Sequence, residues 1–228
     1  MSTPDFRSRV AAEKRERMRA RLIEAALEVF SAKGIDATVI DDLIAQAQVS
    51  RGTFYNYFQT TQEVMAAVLQ SVVNELLLLV DVAIADRPDP AERLACGVRT
   101  MLHTARRFPQ AGRFIARLGV TRSPDLLPAL NNPLRDLVEG IETGRFKLAD
   151  PLLGLDLVVG TTSAALLSLT MRPDLTDAYP QEITFHLLLG LGMTRAAARK
   201  LVDKPIEAVQ LPPDSLLVRT LNRPPSIT

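Results

Sequence analysis

The sequence predicts an all-α fold, and three features predict it. Alanine, leucine, arginine and glutamate, all strong helix formers, are abundant. No stretch alternates apolar and polar residues for long, as a half-buried strand would. The prolines punctuate rather than interrupt: several stand just before an apolar-periodic run, where proline suits the first helical turn.

The elements follow in order. Leu22, Ala25, Ala26, Val29 and Phe30 share one face of a first helix over about residues 13–33. Gly34 supplies its stop. A short second helix spans about 39–47, with Thr38 as its cap. After a break at Gln48-Val49, Ser50 caps a third helix over 51–58. Thr60 or Thr61 opens a fourth, which continues through a leucine run to about 85. Further helices are expected near 90–108, 110–120, 125–144, 152–171 and 177–191, with a last short one near 194–202. From Pro205 onward the chain reads as a proline-marked tail.

Composition narrows the function. The 228 residues suffice for one large domain or two small ones. With 47% apolar and 23% charged residues, the chain is an ordinary globular one. A single cysteine, Cys96, excludes an internal disulfide framework and a cysteine-rich zinc site. Two histidines, His103 and His186, are too few for most histidine metal centres, so neither metal nor cofactor is expected. No segment reads as an export signal, and the expected compartment is the cytoplasm. Residues 152–171 are long enough to span a bilayer, but Asp156 and several small polar residues favour a buried or subunit-facing helix. The net charge of +1 means that any DNA binding must come from a local patch.

Such a patch exists. Four of the eleven phenylalanines and tyrosines fall in Phe54-Tyr55-Asn56-Tyr57-Phe58. Phe54 and Phe58 are four apart and can anchor one helix face inward. The other face presents Arg51, Thr53, Tyr55 and Tyr57, all hydrogen-bond donors to phosphate or base edges. Two short helices joined by a tight break, the second bearing such a face, describe a helix-turn-helix. An aromatic core helix would explain Phe54 and Phe58, but not the two tyrosines, the arginine and Gly52. Upstream, residues 7–21 hold seven basic side chains against two acidic ones. This basic arm can reach the DNA backbone or minor groove.

Residues 15–65 resemble the DNA-binding domain of the tetracycline-repressor (TetR) family of bacterial regulators. The resemblance is carried by Ala26-Leu27-Glu28-Val29-Phe30, Lys33-Gly34, Ala37-Thr38, Asp41-Asp42-Leu43 and, most specifically, Val49-Ser50-Arg51-Gly52-Thr53-Phe54-Tyr55-Asn56-Tyr57-Phe58. It implies a three-helix helix-turn-helix domain (1–60, with the basic N-terminal arm) and a larger helical ligand-binding and dimerisation domain (61–228, with the tail). It further implies a homodimer on double-stranded operator DNA. The site residues it implies are Thr38, Ser50, Arg51, Gly52, Thr53, Tyr55, Asn56, Tyr57 and Thr61. Of these, Arg51 and Thr53 would read base edges, while Tyr57 and Thr61 would hold phosphate. Asp41 would lie near the DNA. The chain departs from the family pattern at Val39 (usually threonine), Ile44 (usually alanine), Gln48 (usually glycine) and Thr61 (commonly lysine).

Residues 61–228 carry 18 basic and 18 acidic side chains, so there is no second electrostatic footprint. The helices near 152–171 and 177–191 resemble the family's dimer-forming pair, with Gly160, Thr161, Ser163, Ala164 and Ala165 small enough for close approach. A pocket for a small, mostly apolar effector would draw on Met101, His103, Phe114, Leu118, Leu137 and Met171. No catalytic residues are expected: the sequence has no glycine-rich phosphate loop, nucleophile elbow or histidine–carboxylate pair at helical spacing. The reading is a ligand-responsive repressor that binds a palindromic operator. The alternative is a helical ligand-binding or interaction module with weakened DNA binding.

Overall fold

The computed structural model describes residues 6–118, 127–207 and 209–221, and all regular structure among them is helical. Eleven helices are described: α1 (Phe6–Lys33), α2 (Ile40–Ala47), α3 (Arg51–Tyr55), α4 (Thr61–Ile84), α5 (Pro90–Arg107), α6 (Pro109–Leu118), α7 (Leu127–Glu142), α8 (Pro151–Met171), α9 (Tyr179–Gly190), α10 (Arg195–Val202) and α11 (Leu216–Leu221). The start of the expected seventh helix (125–126) and the end of the sixth (119–120) lie outside the described residues.

Two apolar cores divide the chain. The first gathers Leu22, Leu27 and Phe30 of α1, Leu43 of α2, Phe54 of α3, the first two thirds of α4, Phe114 of α6, and Leu216 and Leu217 of α11. The second joins α5, α7, α8, α9 and α10 around Leu102, Leu137, Leu166, Phe185 and Leu188. A small cluster of Val80, Ile84 and Cys96 ties the end of α4 to α5. Ile115 of α6 packs against both large cores. Cys96 is buried and free.

The caps follow the residue chemistry. Ser50, Thr60, Asp89, Asp150 and Thr194 each accept a backbone N–H in the first turn of the helix they precede. Pro90 and Pro151 occupy first helical positions, where no N–H is needed. Gly34 ends α1 at φ +96°, a conformation that favours glycine. Arg117 of α6 then donates to the terminal carbonyls of Phe30 and Ala32, at 3.4 and 3.1 Å. This is a direct tie from the C-terminal helices to α1.

Three expectations need correction. Helix α1 begins at Phe6, because the charged residues before Leu22 are good helix formers although they carry no apolar face. Helix α3 ends at Tyr55, so Tyr57 and Phe58 lie in the turn beyond it. The region after Pro205 is not merely a tail. It returns across the molecule and ends in α11, whose first N–H groups, of Leu216 and Leu217, both donate to the Glu75 carboxylate of α4, at 2.6 and 2.9 Å. A carboxylate at a helix N-terminus satisfies the otherwise orphaned donors and the dipole together.

Candidate nucleic-acid interface

The interface is built from the turn upward. Helix α2 has its N-cap at Val39, not at Thr38. Valine offers no oxygen, and the Val39 N–H instead donates to Asp42 at 2.9 Å. Lys33 also donates to Asp42, at 2.6 Å, and these two donors hold the Asp42 carboxyl below its usual value. The Thr38 hydroxyl points the other way and donates to the Gly34 carbonyl. Thr38 is buried, so its hydroxyl is committed to the α1–α2 turn.

Gln48 closes α2 in the left-handed region, at φ 51° and ψ 51°. Its N–H donates to the Ala45 carbonyl, and that of Val49 to the Ile44 carbonyl. These are the paired bonds of a Schellman stop, normally built on glycine. The turn therefore adopts the left-handed stop with a non-glycine residue, at a cost of about 1 kcal/mol. Ile44 packs at the edge of the first core.

Helix α3 is held by Phe54, which is fully buried, and by Phe58 just past its end. Ser50 caps it: its Oγ accepts from the Thr53 N–H at 3.1 Å and lies 2.8 Å from Thr53 Oγ1. The opposite side is open. Arg51, Gly52, Tyr55 and Asn56 are exposed, and Thr53 is half-buried. Tyr57 packs partly against the first core. Thr61, at the first position of α4, is half-buried, and its hydroxyl donates to Gln62 at 3.2 Å. Thr60 is the residue that caps α4. The structure thus leaves Ser50, Arg51, Gly52, Tyr55 and Asn56 exposed around α3 with Thr53 half-buried among them, and buries Thr38 in the α1–α2 turn.

Asp41, expected near the DNA, has a side-chain partner. It forms an ion pair with Arg51, and both side chains are about two-thirds exposed. Nothing in the local sequence announces this pair, because the two residues are ten apart on different helices. An exposed pair of this kind is worth about 0–1 kcal/mol. It leaves the guanidinium largely in solvent.

The effector residues are not brought together. Phe114 packs against Phe30 in the first core, with ring centroids 6.1 Å apart. Leu137 is fully buried in the second core, with Met101 at its edge. Burial and the neighbouring Arg99 and Arg106 push the His103 imidazole below its usual value. Met171 is 72% exposed at the end of α8 and lines nothing in the single chain. The Leu118 side chain lies outside the described residues. Thr162, on the inward face of α8, carries no sequence signal that marks it. Its hydroxyl is buried without a hydrogen-bond partner among the described residues. A cleft of about 490 Å³ opens where α4, α5 and α7 meet, lined by Asp81, Arg87, Arg93, Asn132, Arg135 and Glu139. Ile84 and Ala85 complete its lining, so ion pairs and apolar surface share it. Arg93 donates to Asp136 at 2.8 Å and also pairs with Glu139, while Arg87 pairs with Glu92 at 2.5 Å.

Comparison with known proteins agrees with this geometry. The profile described as "Bacterial regulatory proteins, tetR family" matches residues 22–68. The profile described as "Tetracyclin repressor-like, C-terminal domain" matches residues 89–204. Among curated proteins, the chain is 26% identical over 169 residues to the HTH-type transcriptional repressor DhaR of Mycobacterium sp. (strain GP1), covering 68% of this chain and 83% of that protein. It is 42% identical over 64 residues to the HTH-type transcriptional regulator SrpR of Pseudomonas putida, covering 28% of this chain and 30% of that protein. Among solved structures, RolR in complex with the ligand resorcinol matches with a TM-score of 0.66 and 28% identity, covering 87% of this chain and all of that one.

Proposed function

The chain belongs to the TetR family of bacterial transcriptional regulators, and from that premise we propose that it is a ligand-responsive repressor that binds a palindromic operator as a homodimer in the cytoplasm. The observation that carries the reading is the open α3 face, where Arg51, Thr53 and Tyr55 are presented by a helix anchored through buried Phe54. Arg51 would read guanine, Thr53 a neighbouring base edge, and Tyr55 a phosphate or a thymine methyl.

The homodimer reading rests on α8. Leu153, Leu157, Gly160, Ala164, Leu167 and Met171 alternate at spacings of four and three and form an exposed or half-exposed stripe. That is the seam of helices packed side by side. A Cβ at Gly160 would meet nothing within 4 Å, which leaves room for a partner helix to approach closely. Both α4 and α8 are long and apolar enough to cross a membrane. The apolar face of α4 is buried in the first core, and that of α8 would be buried against a second copy.

The effector would be small and mostly apolar. RolR, to which the chain is similar, is bound to resorcinol, a small aromatic ring with two hydroxyls. In this chain the ligand would part the second core near Met101 and Leu137. Binding would favour a dimer whose recognition helices are wrongly spaced for successive major grooves.

The test is selection of duplexes from a random library by the purified protein, with the oligomeric state measured in parallel. The expected product is an inverted repeat bound by two chains. Leu167→Glu should give monomers that no longer select it. Enrichment of no sequence would overturn the reading in favour of a ligand-binding module with weakened DNA binding.

A further inference from the structure

We propose that Asp41 is a specificity-determining residue of the reading surface: its carboxylate holds one N–H of the Arg51 guanidinium, which weakens that cation's grip on backbone phosphate and leaves it to read a base. The proposal rests on the DNA-binding reading above and assigns to a residue of α2 part of the discrimination made by α3.

Three observations carry it. The first is the charge balance of the reading unit. Between Gly34 and Thr60 the only charged residues are Asp36, Asp41, Asp42 and Arg51. One cation stands against three acids, so this segment by itself has little electrostatic hold on a duplex. The second is how those charges are used. Asp42 is committed to Lys33 and to the Val39 N–H. Asp41 pairs with Arg51, its Oδ1 accepting from Nη2, and neither forms another ion pair among the described residues. The third is exposure. Both side chains are about two-thirds exposed, so a duplex that α3 approaches meets the pair and not a bare cation.

The chemistry of the pair separates bases from phosphates. A guanidinium has five N–H donors, and a guanine edge accepts two of them, at O6 and N7. Asp41 takes one, so the guanine edge can be read while the pair is kept. A phosphate attracts Arg51 by charge and carries no sequence pattern. There the Asp41 carboxylate acts against binding twice: it already neutralises Arg51, and it repels the phosphate. Held by Asp41, Arg51 therefore gains less on random DNA than on a duplex that offers it a guanine. The pair also joins the first turn of α2 to the first residue of α3, which limits the rotamers that Arg51 must give up on binding. All of this works through binding and not through folding, because an exposed pair contributes little to stability.

The experiment compares the full chain with Asp41→Asn, Arg51→Gln and the double variant. Asparagine keeps the shape and an acceptor oxygen but removes the charge. A control, Asp36→Asn, removes an exposed carboxylate of the same segment that is not paired with Arg51. The probes are the duplex selected above and a random-sequence duplex of the same length, titrated by fluorescence anisotropy over a range of salt. Asp41→Asn should bind random duplex more tightly, with a salt slope steeper by roughly 0.9 for the phosphate that Arg51 then neutralises. Its ratio of selected to random affinity should fall about tenfold, within what one arginine–guanine pair contributes. In the Arg51→Gln background the same substitution should leave the ratio unchanged, and so should Asp36→Asn in the unaltered chain. Thermal melts of all variants should match that of the unaltered chain. An undiminished ratio in Asp41→Asn, an equal fall with Asp36→Asn, or an equal fall in the Arg51→Gln background would overturn the role of Asp41 while leaving α3 as the reader. A ratio that Arg51→Gln itself does not lower would overturn both readings.

Discussion

The two apolar cores are similar in kind and opposite in what their surfaces do. Around the first core, the buried residues of α1, α2 and α3 hold outward a face of polar and basic side chains with few internal obligations. Around the second, the charged residues are turned on one another. Arg93 binds Asp136 and Glu139, Arg145 binds Asp89 at 2.5 Å, Lys204 and Arg87 share Glu92, and Arg199 binds Glu182. Charge is mostly left in solvent in one region, with Lys33–Asp42 and Arg51–Asp41 as its pairs, and mostly paired in the other. Substitutions in the first surface should therefore alter binding with the fold intact, while those in the second should alter stability first.

The largest expected effect lies where the first region stops being surface. Phe54→Ala removes the fully buried ring that anchors α3. It should cost about 3–5 kcal/mol, read as a fall in the thermal midpoint, and abolish DNA binding with it. A loss of DNA binding without a loss of stability would break the distinction between core and face.

Next comes Arg93→Ala. Its removal leaves Asp136, whose side chain is only 2% exposed, with Arg135, which is half in solvent, as its remaining cation. About 3 kcal/mol of destabilisation is expected in denaturant unfolding. A folded protein should still bind DNA as before when assayed below its melting range.

A smaller effect is set by pH. Burial, then Arg99 and Arg106, lowers the His103 pKa from 6.5, against the attraction of Asp177. The folded state thus favours the neutral imidazole more than the unfolded state does. The associated stability is present above pH 6.5 and is lost as pH falls from 6.5 toward the folded value. Unfolding curves across that window should show a decline that His103→Gln removes. The same decline in the variant would assign it to other groups.

The smallest effect is Gln48→Gly, which relieves a left-handed glutamine. It should stabilise the chain by up to about 1 kcal/mol, with the selected DNA sequence unchanged. A changed sequence preference would mean that the Gln48 side chain itself takes part in recognition.

How far the sequence reaches follows the same division. The helix-turn-helix is legible because a compact run, Ser50 to Phe58, combines a cap, two inward aromatics and outward donors at helical spacing. The tight turn is legible too, although Gln48 departs from the glycine it usually holds. Three things are not legible, each for a physical reason. The start of α1 has no apolar period, only helix-forming charged residues. Helix α11 follows prolines, and its capping carboxylate, Glu75, lies on α4, far away in sequence. The effector-lining residues fall in a region where nearly every inward residue is apolar. Hydropathy cannot separate Phe114 in one core from Leu137 in the other, nor foresee that Met171 faces solvent.

The central claim is that α3 reads DNA from a surface the fold does not need. Arg51→Ala tests it most directly, because the side chain is exposed and its pairing with Asp41 contributes little to stability. Affinity for the selected duplex and for random duplex should be measured beside a thermal melt. The account predicts a loss of about 1–3 kcal/mol of discrimination between the two duplexes, with the melting temperature essentially that of the unaltered chain. Undiminished discrimination, or a loss of binding that merely follows a loss of folding, would contradict it.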